Sequence, residues 1–318
     1  MDIDTMKKEI QELKKETNSI ILAHLYQIMD VQELGDFVGD SLGLSRKAAE
    51  IEDAGNIIFA AVDFMAETAV LMNPGKNVLL PDVTASCPMA GQLKAKQINE
   101  YKAKHSGLPV VLYVNTLAEA KAASDVVCTS ANAVKICKEI AKERETNDIL
   151  FGPDKNLGAY VKKITGINTI TIPDRGYCYV HDQFVIEDVN QQRANHPDAK
   201  LIVHPECKSE IQDAADFVGS TSQMLKYVAD SDDKKFIIGT EQGLVEKLKV
   251  NYPKREFYSL AMGGSICKNM KKTSVAKIHA LMLKIKDGTF KDHLVTLEDD
   301  VIEGAKRSIE YMFELMKR

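Results

Sequence analysis

Three cysteines occupy equivalent positions along the chain, and thiolates are the side chains that best bind soft metal centres. Cys87, Cys178 and Cys267 lie about 90 residues apart, each in a loop that follows a short apolar segment. Three thiolates at one point require a metal, and a four-iron cluster with only three cysteine ligands keeps one iron open to act on a substrate as a Lewis acid. A zinc site of the Cys3His type, with His181 as the fourth ligand, is the alternative.

Polar residues two positions apart recur with the same period. His24 with Tyr26, Tyr113 with Asn115, and His204 with Glu206 each follow or end an apolar, strand-like segment. Side chains two apart on a strand point the same way, so each pair can face a pocket. A single histidine or tyrosine at a strand end is more often structural, but three pairs in phase favour a site. The pairs predict proton chemistry, with Glu206 as general base, Tyr26 as proton donor, and His204 among the histidines that orient or polarise substrate carboxylates.

Hydroxyl side chains mark a third set of equivalent positions. Ser41, Ser130 and the pair Ser220-Thr221 each come directly before a helical pattern, where serine and threonine are typical N-caps. Helix N-termini also attract anions through free N–H groups and the helix dipole. Three such termini around one axis predict a pocket for a substrate with several carboxylates or phosphates.

The elements that must position these residues also repeat. Each repeat of about ninety residues contains roughly four short apolar segments that alternate with helical patterns, which indicates parallel α/β units. The predicted fold is therefore α/β, with three pseudo-symmetric repeats, each a small parallel sheet between helices, around a central iron–sulfur site. We expect domains at 1–105 with an N-terminal helix, 106–195, and 196–318 with a C-terminal helix that opens at Thr296. Ligands of such sheets bind beyond the carboxyl ends of the strands.

Composition excludes several classes of function. The chain of 318 residues has a net charge of −5, which gives no reason to expect a nucleic-acid or anionic-membrane surface. Its apolar runs are far shorter than the ~20 residues of a membrane span, and the first residues lack the apolar core of a signal peptide, so we expect a cytoplasmic protein. Cys128 and Cys137 are predicted to be buried small hydrophobes, and Cys207 to be a neighbour of the site rather than a ligand.

The combination of motifs resembles the quinolinate synthase A family from about residue 20 to about residue 275. The matching segments are His24-Leu25-Tyr26-Gln27, Gly39-Asp40-Ser41-Leu42, Asp63-Phe64-Met65-Ala66-Glu67-Thr68-Ala69, Tyr113-Val114-Asn115-Thr116, Gly152-Pro153-Asp154-Lys155-Asn156-Leu157-Gly158, Cys178-Tyr179-Val180-His181, His204-Pro205-Glu206, Gly219-Ser220-Thr221-Ser222 and Cys267-Lys268-Asn269-Met270-Lys271. The family usually has Asn or Tyr where this chain has Leu25, whose side chain should point away from the pocket.

The resemblance implies one [4Fe–4S] cluster per chain, held by Cys87, Cys178 and Cys267. It implies an enzyme that condenses iminoaspartate with dihydroxyacetone phosphate to give quinolinate, phosphate and water on the route to NAD. L-aspartate oxidase or aspartate dehydrogenase is the possible source of the imine, and no nucleic acid or membrane is involved. The implied substrate contacts are His24, Ser41, Tyr113, Val114, Asn115, Ser130, His181, His204, Pro205, Glu206, Ser220 and Thr221, with Tyr26 lining the same pocket.

Two other functions fit the residues alone. An aconitase-like hydro-lyase would use the same open iron on a different polycarboxylate, and substrate specificity separates it from a synthase. A non-catalytic electron carrier or a structural zinc protein would need the cysteines but not the polar pairs.

Overall fold

The computed structural model describes all 318 residues and contains three parallel sheets of four strands each. Every sheet has the same strand order, second–first–third–fourth. The strands are β1 Ser19–His24, β2 Phe37–Gly39, β3 Asn56–Ala60 and β4 Asn77–Leu79; β5 Val110–Tyr113, β6 Val126–Cys128, β7 Asp148–Gly152 and β8 Asn168–Thr171; β9 Lys200–Val203, β10 Phe217–Val218, β11 Lys235–Gly239 and β12 Glu256–Ser259. The predicted α/β class and the three pseudo-repeats are confirmed.

Helices connect the strands and cover the sheets. They are α1 Ile3–Glu16, α2 Met29–Gln32, α3 Ser41–Ala49, α4 Asp63–Met72, α5 Ala95–Lys104, α6 Ala118–Ala122, α7 Ala133–Glu143, α8 Lys155–Thr165, α9 Tyr179–Asp182, α10 Ile186–Asn195, α11 Ser209–Ala214, α12 Thr221–Asp230, α13 Gln242–Asn251, α14 Val275–Lys286 and α15 Asp299–Lys317. Short 3₁₀ turns lie at Ala90–Gln92, Met270–Lys272 and Lys291–His293. None of the helices combines the length and the apolar character needed to cross a lipid bilayer.

The chain forms two compact units. One unit comprises residues 1–87 and 267–302 and contains the first sheet. The other comprises residues 88–266 and 303–318 and contains the second and third sheets. The domain boundaries expected near residues 105 and 195 remain a prediction.

Helices cover the sheets and bury their central strands. β3 is buried at every residue, as expected for a parallel strand with both faces covered. In the first unit, α1 and α14 pack on the sheet through residues such as Ile10 and Ile278, which join Ile21 and Ile58 in one apolar cluster. Because the strands themselves contribute to the apolar core, polar side chains of the site lie at the strand ends.

An aspartate fixes the register of the first two strands in every repeat. The carboxylate of this aspartate accepts a hydrogen bond from the backbone N–H of one residue in the first strand. The backbone N–H of the aspartate in turn donates to the carbonyl of that first-strand residue. A cationic side chain pairs with each carboxylate. The three sets are Asp36 with Ile21 (2.7 Å) and Lys14 (2.6 Å), Asp125 with Val110 (2.8 Å) and Lys102 (3.8 Å), and Asp216 with Leu201 (2.8 Å) and Arg193 (3.2 Å).

Some local expectations were wrong. Asp40, not Ser41, is the N-cap of α3, because its carboxylate accepts from the N–H of Gly43. Ser130 lies in the turn before α7, and Asn132 directly precedes that helix. Only Ser220 is the N-cap that the sequence predicted. The C-terminal helix begins at Asp299 rather than Thr296.

We expect Asp216→Ala to destabilise the protein because it leaves the buried N–H of Leu201 without its acceptor. The loss should be about 1–3 kcal/mol in the free energy of unfolding, measured by urea denaturation. Asp213→Ala is the matched control, since Asp213 pairs only with the exposed Lys163 and should change stability by less than about 0.5 kcal/mol. Equal effects of the two substitutions would contradict the proposed register function.

Candidate active site

A buried carboxylate–imidazole pair lies at the carboxyl edge of the third sheet, in the second unit. Glu206 follows β9, and His181 lies on α9, which begins directly after Cys178. Oε2 of Glu206 is 2.6 Å from Nδ1 of His181, and Nε2 of His181 is 2.8 Å from the hydroxyl of Thr240 at the end of β11. Exposure is 2% for Glu206, 1% for His181 and 0% for Thr240. His181 is therefore oriented from both ring nitrogens.

His204 completes this buried cluster. Its ring stacks on that of His181, with centroids 4.5 Å apart, and its Nδ1 lies 3.9 Å from Oε2 of Glu206. The backbone N–H of Glu206 donates to Nδ1 of His204 (3.3 Å). An Nδ1 that accepts a hydrogen bond places the ring proton of neutral histidine on Nε2, so His204 presents an N–H donor.

Two buried carboxyl groups in this region have opposite pKa shifts. Burial alone would raise the pKa of Glu206, but the neighbouring His181 and His204, with hydrogen bonds from His181 and Tyr113, lower it to about 2. Burial raises the pKa of Asp154 well above its ordinary value, and the charge of Glu206 raises it further. Glu206 is thus ionised at pH 7, whereas the pKa of Asp154 is raised, as expected when two carboxyl groups share a buried region with few cations.

The loops that carry Cys87 and Cys178 are anchored in the same way. The N–H of Cys87 donates to the carboxylate of Asp63 (3.1 Å), and the N–H of Cys178 donates to Asp154 (3.0 Å). Gly176 lets the second loop lie close to the preceding turn, because a Cβ there would be 1.9 Å from the carbonyl oxygen of Pro153. The carbonyl two residues before each of the three cysteines accepts a backbone hydrogen bond: Ala85 from Asp63, Gly176 from Lys155, and Ser265 from Gln242.

The thiols divide by burial in a way that fits a cysteine-bound metal centre. Cys87, Cys178 and Cys267 are half-buried and form no disulfide. Cys128 lies on β6 and Cys137 on α7, both fully buried, as predicted, and burial raises the pKa of each thiol. Burial and the charge of Glu206 also raise the pKa of Cys207, whose thiol donates to the carbonyl of Gly239. These three thiols stay protonated, whereas metal ligation needs thiolates.

The alternative of zinc with His181 as a ligand fits less well. Cys178, His181 and Glu206 bring potential ligand atoms within 4.8 Å of one another. Both nitrogens of His181, however, are already engaged by Glu206 and Thr240. A metal on His181 would have to displace one of these contacts, which disfavours His181 as a zinc ligand.

The predicted residues of the first unit lie at the end of β1 and at the start of α3. His24 and Tyr26 contact each other edge to face, with ring centroids 4.6 Å apart. The N–H of Tyr26 donates to Nδ1 of His24 (3.0 Å), the same contact that Glu206 makes with His204. Ser41 is the first residue of α3 and half-buried.

The remaining predicted residues lie in the second unit. Tyr113, at the end of β5, hydrogen-bonds Glu206 and so joins the buried cluster. Oδ1 of Asn115 is buried without a hydrogen-bond partner, which is a property of groups that bind a ligand. Val114 and Pro205, between the members of their pairs, are buried.

Hydroxyl residues of this unit lie at two helix starts. Ser220 is the N-cap of α12, and Thr221 is its first residue. Ser130 lines a cleft of about 730 Å³ together with Tyr160, Phe217 and Gly219.

Sequence reasoning assigned no function to Thr240 or Asp154. Both residues lie in the polar turn that follows the third strand of their repeat. Their equivalent positions in the repeat are the one sequence feature that could have indicated a function. Their contacts, with His181 59 residues away and with Cys178 24 residues away, are not visible in local spacing.

Comparison with known proteins identifies the family of this chain. The family model described as quinolinate synthetase A protein matches residues 8–314. Among curated relatives, the quinolinate synthase of Thermotoga maritima is 49% identical over 312 residues, which cover 98% of this chain and 100% of that protein. Those of Pyrococcus furiosus (46% over 313 residues, 98% and 99% covered) and Thermococcus kodakarensis (44% over 315 residues, 99% and 100% covered) are similar along the same length. The chain therefore belongs to the quinolinate synthetase A family.

Proposed function

We propose that this enzyme is a quinolinate synthase, which condenses iminoaspartate with dihydroxyacetone phosphate to give quinolinate, phosphate and water for NAD biosynthesis. The observation that carries the proposal is the buried cluster of Glu206, His181 and His204 next to Cys178, in a chain that matches this family along nearly its whole length. The cluster combines one fixed negative charge with oriented imidazole groups, which is suited to moving protons away from solvent.

The substrate iminoaspartate carries two carboxylates and a nitrogen. Its site therefore needs hydrogen-bond donors for the carboxylates and a hydrogen-bond acceptor for the nitrogen. We propose contacts from His24, Ser41, Tyr113, Asn115, Ser130, His204, Glu206 and Thr221. The Nε2 proton of His204 supports a contact with a carboxylate, as does the N-terminus of α12, where Thr221 is the first residue. The buried, unpartnered Oδ1 of Asn115 supports the acceptor side.

Cys87, Cys178 and Cys267 would hold one [4Fe–4S] cluster as thiolates. When bound, the cluster would supply a Lewis acid through an iron that has no protein ligand. The half-burial of these three cysteines, in contrast to the full burial of the other three, supports this ligand set.

Proton transfer is the function that we assign to the buried cluster. A carboxylate whose pKa is about 2 is by itself a weak base, so the accepting unit is better described as the Glu206–His181 pair. A proton that arrives at the hydroxyl of Thr240 can pass to Nε2 of His181, and Glu206 on Nδ1 stabilises the imidazolium that results. Tyr26 and Tyr113 have hydroxyl groups that can donate a proton to a departing hydroxyl during dehydration.

The source of the imine lies outside the chain. Iminoaspartate is unstable in water, so we propose a cytoplasmic enzyme that receives it from L-aspartate oxidase or aspartate dehydrogenase. Dihydroxyacetone phosphate then enters as the second substrate, and its phosphate leaves.

The test is a product assay on anaerobically purified protein with a verified cluster, freshly generated iminoaspartate and dihydroxyacetone phosphate. We expect quinolinate, identified by chromatography, only when the cluster and both substrates are present. Absence of product from protein with an intact cluster would reject the proposal and favour a hydro-lyase acting on another polycarboxylate.

Replacing Glu206 by glutamine should abolish most turnover while leaving the cluster in place. We expect kcat to fall by about 100-fold or more, because glutamine cannot stabilise a protonated His181. The visible spectrum and iron content should match those of the unsubstituted protein. Glu210→Gln, on the exposed face of α11, is the control and should retain full turnover. Near-normal turnover of Glu206→Gln would refute the assignment.

Cysteine substitutions test the ligand set independently of turnover. Cys178→Ser should lose the cluster, measured as iron and acid-labile sulfide per chain, since serine offers no thiolate. Cys128→Ser should keep it, because that thiol is buried in β6 with a raised pKa. A full cluster in Cys178→Ser, or its loss in a folded Cys128→Ser protein, would contradict the proposed ligands.

A further inference from the structure

The turn after the first strand of each repeat is held by one buried side chain from the short helix that follows. These turns carry the polar pairs His24 with Tyr26, Tyr113 with Asn115, and His204 with Glu206. In all three, the holding residue lies five positions after the turn residue whose carbonyl it binds. We call Gln32, Lys121 and Gln212 the clamp residues.

The first and third repeats use glutamine. Nε2 of Gln32 donates to the carbonyls of Leu25 and Gln27, both at 3.0 Å. Nε2 of Gln212 donates to the carbonyls of Pro205 (2.9 Å) and Cys207 (2.7 Å). These carbonyls directly flank Tyr26 in one turn and Glu206 in the other. Each glutamine therefore fixes the peptide groups on both sides of a residue proposed to move protons.

The middle repeat uses lysine at the same position. Nζ of Lys121 donates to the carbonyl of Thr116, which is equivalent to Gln27 and Cys207. The side chain has 0% exposure, and a buried ammonium group is costly unless it is hydrogen-bonded. The three clamp residues also have the same backbone hydrogen bond. The N–H of each donates to the carbonyl of the first residue after its turn, which is Ile28, Leu117 or Lys208.

We infer that Gln32, Lys121 and Gln212 are positioning residues of the active site, each fixing by hydrogen bonds to turn carbonyls the direction of one polar pair. The inference rests on the proposed function to the extent that the pairs belong to the active site. Its physical basis is that a buried carbonyl without a donor is costly, so a turn that loses its clamp rearranges to find one. Such a rearrangement moves Tyr113 and Asn115, or His204 and Glu206, by the small distances that matter for catalysis.

A different explanation exists for Lys121, because an ammonium group near a site for anionic substrates could act through its charge. The comparison among repeats separates the two explanations. Glutamine carries out the same bonding in the first and third repeats without any charge. If hydrogen bonding is what matters, glutamine should replace Lys121; if charge matters, it should not.

The experiment compares the cluster-containing protein with Lys121→Gln and Lys121→Met. We expect Lys121→Gln to retain kcat/KM within about threefold and Lys121→Met to lose about 10- to 100-fold, since methionine has no donor. Amide hydrogen exchange, followed by mass spectrometry on the peptide that contains Val114 and Thr116, supplies a readout that does not depend on turnover. Exchange there should be faster in Lys121→Met and unchanged in Lys121→Gln.

Two results would overturn the inference. One is a Lys121→Gln protein as impaired as Lys121→Met, which would assign the function of Lys121 to its charge. The other is a Lys121→Met protein with normal exchange and turnover. If the unsubstituted protein makes no quinolinate, the proposed function fails, and the exchange data alone decide whether the clamp exists. If Lys121→Met does not fold, the pair Gln212→Lys and Gln212→Met decides by the same criteria.

Discussion

The first strand of every repeat ends at a buried residue, where the backbone groups that follow still need hydrogen-bond partners. The chain meets this constraint with side chains. Asp36, Asp125 and Asp216 bind the backbone of the first strands, and a glutamine or lysine binds the turn that follows. The strand ends become rigid as a result, and rigid strand ends are what a catalytic site needs to hold its side chains at defined distances.

The charge balance of the site follows from the same burial. Glu206 remains ionised because two histidines and a tyrosine lie around it, while burial and the charge of Glu206 raise the pKa of Asp154. Asp154 accepts the N–H of Cys178. One carboxyl group thus contributes charge to the site, and the other anchors a cysteine loop.

Much of the fold could be predicted from the sequence because hydrophobic patterns are local and here occur three times. The repeat located the strand ends and the residue pairs at Tyr113 and Glu206. Helix starts were predicted less well, since an aspartate directly before a serine competes for the N-cap, as Asp40 does before Ser41. Contacts between distant segments could not be predicted, and so Thr240 was missed although it orients His181.

The clamp residues also show what a sequence pattern alone does not reveal. Gln32, Lys121 and Gln212 share a phase in the repeat, but two side-chain types conceal their equivalence. Only the hydrogen bonds reveal that an amide and an ammonium group serve the same carbonyl. The three clamp positions thus share a hydrogen-bond donor but not a residue type.

The contrast between the two groups of thiols has a consequence for how the protein meets oxidants and electrophiles. Cys128, Cys137 and Cys207 are fully buried and protonated, so they present neither an accessible sulfur nor a nucleophilic thiolate. Oxidation and alkylation therefore fall first on Cys87, Cys178 and Cys267, which are half-buried. We therefore expect chemical damage first at the three sulfurs proposed as ligands, with loss of the proposed metal centre before loss of the fold.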